Sequence, residues 1–220
     1  MRIVLLGAPG AGKGTQCKRI VEKYGLLHLS SGDILRRERA EGTELGKKAA
    51  GFMDAGALVP DDVIVEMMAS AMKKTSQAGF VLDGFPRTVI QAEKLDKSLD
   101  CNGQKIDAVI NLEVDDSMVA QRMTGRRSCP RCGAVYHMKN LKPKVEGICD
   151  NDGAALVQRP DDSLEVVTNR LKTYHQQTEP VVDYYRKNNT VYDIDANKDV
   201  DEVSNILFES LDALAKERVK

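Results

Sequence analysis

Short apolar runs alternate with longer amphipathic segments along most of the chain. The runs predict buried strands, and apolar positions that recur every three to four residues predict helices. The predicted strands are Ile3 to Leu6, Leu27 to Leu29, Phe80 to Leu82, Ala108 to Leu112 and Thr190 to Ile194. The predicted helices are Lys13 to Tyr24, Gly32 to Ala40, Thr43 to Ala55, Asp61 to Lys74, Thr88 to Leu99, Ser117 to Thr124, Asp162 to Lys187 and Val200 to Glu217. This alternation is typical of an α/β fold whose parallel sheet is covered by helices on both faces.

Two segments interrupt the alternation. Residues 30–59 read as helical without a strand between them, which predicts a helical insertion outside the sheet. Residues 126–162 are rich in Gly, Pro, Asn, Cys and charge and show little helical period, which predicts a lid. The remaining residues, 1–29, 60–125 and 163–220, would form the core domain.

The overall charge excludes some classes of function. Charged residues make up 30% of the chain, but the formal net charge is only −1. This balance gives no electrostatic reason to expect a nucleic acid or a membrane surface as a partner. The apolar runs are far too short to span a bilayer, and the N-terminal residues do not show a signal-peptide pattern. We therefore expect a soluble, cytoplasmic protein.

The cysteines indicate a metal site more than a set of disulfides. Of the five, Cys129, Cys132 and Cys149 lie close together, whereas Cys17 and Cys101 stand alone and are expected to be reduced thiols.

The spacing of these cysteines predicts a structural zinc site. Two residues separate Cys129 from Cys132, and two separate Cys149 from Asp152, which is the two-knuckle layout of a tetrahedral zinc site. The spacing favours Asp152 as the fourth ligand, with His137 and Asp150 as open alternatives. Four protein ligands leave no open position on the metal, so the zinc would be structural.

The segment that joins the first predicted strand to the first predicted helix is rich in glycine. Residues 7–15 read Gly-Ala-Pro-Gly-Ala-Gly-Lys-Gly-Thr. In this context the segment is a P-loop, whose backbone N–H groups and helix N-terminus hold phosphate oxygens, with Lys13 reaching the β- and γ-phosphates. The candidate ATP contacts here are Gly10, Ala11, Gly12, Lys13, Gly14 and Thr15. Gly14 stands where serine or threonine usually follows the lysine, so a GTPase-type magnesium ligand is less expected.

Several motifs, taken together, resemble those of adenylate kinases and other nucleoside monophosphate kinases. The P-loop has the form G-x-P-G-x-G-K-G-T, and residues 29–36 resemble the family motif L-S-T-G-D-x-x-R. Residues 56–61 resemble G-x-L-V-P-D, and residues 79–88 are nearly identical to G-F-[LIV]-L-D-G-F-P-R-T. The resemblance covers nearly the whole chain and thins after Ile194. It implies a P-loop NTPase-like fold with a five-stranded parallel sheet, and a kinase that transfers a phosphoryl group from ATP to AMP.

The resemblance also implies a role for individual residues. It assigns Asp83 to Mg²⁺ through water, Gln91 to the edge of the AMP adenine, and Arg122 to the adenine of ATP. The residues implied for AMP are Ser31, Arg36, Leu58, Val59, Gly84, Arg87, Gln91, Arg159 and Arg170. Further ATP contacts implied in and beside the lid are Arg122, Arg126 and Tyr136. The residues that would share the charge of the transferred group are Lys13, Asp83, Arg87, Arg126, Arg159 and Arg170.

Phosphoryl transfer between two nucleotides depends mainly on positioning and on neutralising charge. The acceptor phosphate has its second ionisation near pH 6 and is already nucleophilic at neutral pH, so no general base is required. His28, His137 and His175 are accordingly expected to be structural. Asp161 and Asp162 are expected to cap the long helix that follows them and to serve the hinge.

Alternatives to an ATP:AMP kinase stay open at this point. Ser31 stands where threonine is commonest, a change found in relatives that prefer other donors, so a GTP-dependent or a uridylate/cytidylate kinase is one alternative. A zinc-knuckle nucleic-acid-binding ATPase is another, although the neutral charge and the lack of aromatic residues near the knuckle weigh against it. The expected partners are ATP, AMP and ADP, without nucleic acid or membrane, and the family suggests a monomer.

Overall fold

The computed structural model describes residues 1–73, 79–188 and 191–217. A five-stranded sheet forms the centre of the fold, and all of its neighbouring strands are parallel. Its strands are β1 (Arg2–Gly7), β2 (Leu27–Ser30), β3 (Phe80–Asp83), β4 (Ala108–Glu113) and β7 (Val191–Asp195), in the order β2-β3-β1-β4-β7. All five predicted strands are confirmed, apart from Thr190, which lies outside the described residues.

The α-helices of the described chain pack around this sheet or form the inserted segments. They are α1 (Lys13–Tyr24), α2 (Ser31–Ala40), α3 (Glu44–Asp54), α4 (Asp61–Lys73), α5 (Val89–Asp100), α6 (Asp116–Thr124), α7 (Leu164–Thr173), α8 (Glu179–Asn188) and α9 (Val200–Glu217). The predicted end of α4 at Lys74 lies outside the described residues. No helix in these three stretches is both long and apolar enough to cross a membrane.

The side chains of each buried strand point alternately into two apolar cores, one on each face of the sheet. On β1, Ile3 and Leu5 pack with α1 and α9, whereas Val4 and Leu6 pack on the opposite face with residues of α4, α5 and α8. Because side chains alternate across a strand, one continuous apolar run supplies both cores. The sheet is therefore the middle of three layers, and the carboxyl ends of its strands lie at the same edge.

The long helix predicted from Asp162 to Lys187 is interrupted. Helix α7 ends at Thr173, a five-residue π-helical turn covers Tyr174–Thr178, and α8 begins at Glu179. Pro180 follows the turn, and a proline has no N–H to continue the helical ladder. The wider π turn bridges the place where the ladder breaks.

The predicted lid contains strands that its sequence did not predict. Strands β5 (Arg126–Ser128) and β6 (Val135–His137) form an antiparallel pair, and Ser128 also pairs with Val157. Strands of three residues are too short to show a period. A small separate core of Cys129, Ala134, Tyr136 and Cys149 stabilises these two strands.

Candidate active site

The P-loop has the geometry of a phosphate cradle. Gly10 and Gly12 have φ angles of 76° and 94°, which turn the backbone between β1 and α1. A Cβ on Gly7 would lie 2.6 Å from the carbonyl oxygen of Leu112, so a side chain there would collide with β4. Helix α1 begins at Lys13, directly after this turn, so its first N–H groups and its dipole face the loop. The arrangement suits a polyphosphate.

Lys13 lies across this loop in an environment that disfavours its charge. Its Nζ donates to the carbonyl oxygens of Gly7, at 2.6 Å, and Ala8, at 2.8 Å. Burial lowers the pKa of Lys13 to about 7; Asp83 opposes the shift, and neighbouring arginines add to it. An anion bound in the loop would restore the charged form.

Arginines from four parts of the chain converge beside the P-loop. They are Arg36 from α2, Arg87 after β3, Arg126 and Arg159 from the predicted lid, and Arg170 from α7. Burial lowers the pKa of Arg159 and of Arg170 to about 10, and it also lowers the pKa of Arg87. These groups still carry their charges at neutral pH, so the cleft concentrates positive charge in a poorly solvated space.

Two aspartates hold part of this charge in place. The side chain of Asp162 is 0% exposed and accepts hydrogen bonds from Arg126 Nε, at 2.8 Å, and from Arg126 Nη2. Asp161 accepts from Arg170 Nη1 at 2.6 Å. The prediction that these aspartates cap the following helix is wrong, because the Ser163 side chain is the cap and accepts from the N–H of Val166. A buried arginine needs such a partner more than the helix needs a second cap.

The segment between β2 and α2 meets the segment after β3. Ser31 Oγ donates to the carbonyl oxygen of Gly84 at 2.6 Å, and Arg87 Nε donates to the same oxygen at 2.7 Å. Arg36 Nη2 is paired with Asp33 at 2.5 Å. Two of the predicted acceptor motifs are therefore joined directly.

The side chain of Gln91 is also fixed in this region. It is 1% exposed, its Oε1 accepts from the N–H of Arg87 at 2.7 Å, and its Nε2 donates to Asp61 Oδ1 at 2.8 Å. The contact with Asp61 was not predicted. Its only signal in the sequence is the position of Asp61 at the end of the G-x-L-V-P-D motif.

Asp83 ends β3 close to the P-loop. A Cβ built on Gly14 would lie 3.7 Å from Asp83 Oδ2, and His28 Nε2 lies 3.4 Å from the same oxygen. A carboxylate beside a phosphate cradle is a suitable outer ligand for Mg²⁺, which usually keeps several of its waters. His28, which is predicted to be structural, also lines the cleft.

Arg122 and Tyr136 also line the cleft, and Arg122 Nη1 lies 3.5 Å from the carbonyl oxygen of Gly10 in the P-loop. Arg122 Nη2 donates to the carbonyl oxygen of Ala196 at 2.8 Å, which holds the side chain against the segment that follows β7. Tyr136 is mostly buried, and its hydroxyl accepts from the N–H of Asp150 at 2.8 Å. Both line the cleft, and their contact with ATP stays a prediction.

The predicted lid brings together four side chains that could hold a metal ion. Ligand atoms of Cys129, Cys132, Cys149 and Asp152 all lie within 4.8 Å of one another. The sulfurs of Cys132 and Cys149 are 3.5 Å apart, and Cys129 Sγ is 3.2 Å from Asp152 Oδ2. Such separations fit a tetrahedral ion with metal–sulfur bonds near 2.3 Å.

The two alternative ligands of the lid lie outside this group. His137 Nδ1 accepts from the N–H of Lys139 at 3.1 Å, and Asp150 Oδ1 accepts from the N–H of Lys144 at 2.8 Å. A hydrogen bond from the Ala154 N–H helps to lower the pKa of Asp152 to about 2, so this residue is a carboxylate at neutral pH.

All residues predicted to contact either nucleotide line the same cleft, which has a volume of about 1130 Å³. That volume exceeds the range of about 300–1,000 Å³ that is usual for a site holding one small molecule. A P-loop, a carboxylate and a set of buried arginines around such a space define a phosphotransferase of the P-loop class.

Similarity to known proteins identifies the family within this class. The adenylate kinase family profile matches residues 5–190, and this chain belongs to that family. It is 50% identical over 204 residues to the adenylate kinase of Thermoanaerobacter sp. (strain X514), covering 92% of this chain and 94% of that protein. The adenylate kinase of Archaeoglobus fulgidus gives the same identity and the same coverage. That of Finegoldia magna is 46% identical over 212 residues, covering 96% of this chain and 99% of that protein.

Proposed function

We propose that this enzyme transfers the terminal phosphoryl group of ATP to a phosphate oxygen of AMP, reversibly, to give two molecules of ADP. The family membership supports the reaction. The observation that carries the geometry is the convergence of Lys13 and five arginines on one cleft, between the P-loop and the acceptor motifs. Two nucleotides placed end to end there would bring their phosphates together under this positive charge.

Each end of the cleft would hold one nucleotide. The P-loop, from Gly10 to Thr15, would bind the phosphates of ATP, and Arg122 and Tyr136 would lie near the adenine of ATP. Arg36 and Arg87 would bind the phosphate of AMP, with Leu58, Val59 and Gln91 at its base and Ser31 and Gly84 beside it. Lys13, Arg126, Arg159 and Arg170 would lie between the two and stabilise the charge of the transferred group.

The chain would not need a general base for this transfer. The AMP phosphate is largely dianionic at neutral pH, because its second pKa is near 6. Its oxygen attacks the terminal phosphorus of ATP, and the bond from that phosphorus to the bridging oxygen of ATP breaks. The arginines would keep the two groups in line, and closure of the lid over the cleft would exclude water as a competing acceptor.

Asp83 is the residue that would hold Mg²⁺, through water, beside the P-loop. The ion, when bound with ATP, supplies further neutralisation of phosphate charge. The carboxylate lies within reach of the loop, as its closeness to Gly14 indicates.

Cys129, Cys132, Cys149 and Asp152 would hold a structural Zn²⁺. Three thiolates and one carboxylate suit this ion, and the four ligands occupy its tetrahedral positions. We further propose that residues 126–162 act as a lid over ATP and residues 30–59 as a flap over AMP, around the core of 1–29, 60–125 and 163–220.

A site with thiolate ligands suits the reducing conditions of the cytoplasm. Because one chain lines the whole cleft, we propose a monomer.

The stoichiometry of ADP formation tests the proposed reaction. Incubation of the enzyme with ATP, AMP and Mg²⁺ should give two ADP for each ATP consumed, measured by ion-exchange separation of the nucleotides. The Lys13→Met variant should fold and form ADP far more slowly, because a phosphate-binding cation is lost. ADP formation at the wild-type rate by this variant would contradict the role of Lys13. Release of inorganic phosphate without ADP gain from AMP would contradict the reaction itself.

A further inference from the structure

The amide of Gln91 is held by two partners, of which one donates a hydrogen bond and the other accepts one. Its oxygen accepts from the backbone N–H of Arg87 at 2.7 Å, and its nitrogen donates to Asp61 Oδ1 at 2.8 Å. Thr88 Oγ1 lies 3.1 Å from the same Asp61 oxygen and donates to it. Gln91 is 1% exposed, so solvent offers little replacement for either bond.

These two partners permit only one orientation of the amide. A backbone N–H can only donate, and an ionised carboxylate can only accept. Rotation of the amide by half a turn would place the Gln91 nitrogen against the Arg87 N–H and its oxygen against the Asp61 carboxylate. One contact would then join two donors and the other two acceptors. Because both contacts are buried, this costs more than the loss of an exposed hydrogen bond.

An oriented amide distinguishes two kinds of purine. After these bonds the Gln91 oxygen keeps one acceptor position and the nitrogen keeps one N–H. Adenine offers the complementary pair, an exocyclic amine that donates and a neighbouring ring nitrogen that accepts. A 6-oxopurine offers an accepting oxygen and a donating ring N–H instead, and it would need the opposite orientation of the amide.

We propose that Asp61 is a specificity-determining positioning residue, which selects a 6-aminopurine in the acceptor site by fixing the orientation of Gln91. The inference rests on the proposed function, in which Gln91 contacts the acceptor base. Asp61 acts through Gln91, so its loss should change the choice of nucleotide more than the rate of the transfer.

The neighbouring residue provides a matched control. Asp61 and Asp62 are both acidic residues in the first turn of α4, where either carboxylate stabilises the helix dipole. The side chain of Asp62 is 88% exposed and pairs with Lys94. Replacement of either aspartate removes one charge from the same helix end, but only Asp61 touches Gln91.

The test compares AMP with IMP, which differ in the base only at the six-position and the adjacent ring nitrogen. We would measure kcat/KM for each acceptor with ATP as donor, in wild type, Asp61→Ala, Asp61→Asn, Asp62→Ala and Gln91→Ala, together with the thermal transition of each variant. Asp61→Ala should lower the AMP-to-IMP ratio about tenfold or more, the size expected for loss of a hydrogen bond to a charged group. The ratio for Asp61→Asn should lie between those of Asp61→Ala and wild type. The asparagine amide can still accept from Gln91, but it can also rotate and present its NH2 group instead. Asp62→Ala should keep the wild-type ratio.

The outcomes separate the positioning role from the proposed role of Gln91. If Gln91→Ala lowers the ratio and Asp61→Ala does not, Gln91 reads the base and the positioning inference is wrong. If Gln91→Ala leaves the ratio unchanged, the base contact proposed for Gln91 is wrong and the inference fails with it. A purely structural Asp61 would lower kcat/KM for both acceptors equally and leave the ratio at its wild-type value, which would also overturn the proposal.

Discussion

The lowered pKa of Lys13 predicts that ATP binding is accompanied by proton uptake. Burial holds this pKa at about 7 in the free enzyme. At pH 8, one unit higher, roughly one molecule in eleven carries a charged Lys13. Phosphates bound in the P-loop favour the charged ammonium and should raise its pKa well above 8. Uptake should therefore be about 0.9 proton per ATP at pH 8, and about 0.5 at pH 7.

Isothermal titration calorimetry measures this number. ATP and Mg²⁺, without AMP, are titrated at pH 8 in buffers that differ in their enthalpy of protonation, and the slope of observed against buffer enthalpy gives the protons taken up. At this pH the ATP phosphates have already lost their protons, so they release none on binding.

The matched control is Lys13→Arg, which keeps a positive charge but stays protonated throughout this range. Its slope should be near zero. A wild-type slope near zero, or equal slopes in the two proteins, would refute the assignment of a low pKa to Lys13.

Two further predictions concern stability. Removal of the proposed zinc with a chelator should lower the thermal transition by about 5 °C or more, because binding that favours the folded state would be lost. Cys132→Ser should reproduce the loss and Cys101→Ser should not, and an unchanged transition in calorimetry would contradict the proposed metal. Gly46→Ala should destabilise by about 1–3 kcal/mol, because its Cβ would overlap the backbone of Glu38. Gly51→Ala, in the same helix with open space around it, should instead stabilise by about 0.5–1 kcal/mol. Equal urea midpoints for the two variants would contradict this account of α3.

The sequence predicted those parts of the fold whose signals are local and periodic. The bounds of α1, Lys13–Tyr24, agree with the prediction because Gly12 and Gly25 flank the helix in left-handed conformations that glycine adopts readily. The five parallel strands are continuous apolar runs, which a doubly covered sheet requires. The motifs of the cleft were recognisable because phosphate binding restricts the residue types in them.

Interactions between distant segments were not predictable in this way. Nothing local distinguishes Asp162, which is fully buried against Arg126, from an ordinary helix cap. The short strands β5 and β6 depend on contacts around the cysteines and not on their own pattern. Asp61 and Gln91 are thirty residues apart in the chain, and only the folded structure brings their side chains together.

The proposed reaction requires that one cleft holds two nucleotides with their phosphates end to end. Titration with a compound that joins two adenosines through five phosphates tests it most directly, because a ligand that fills both sites gains from its linkage. We expect one molecule to bind per chain, at least about 100-fold more tightly than ATP, and to prevent the binding of both ATP and AMP. Binding no tighter than that of ATP, or AMP binding that persists when this compound is bound, would contradict the account.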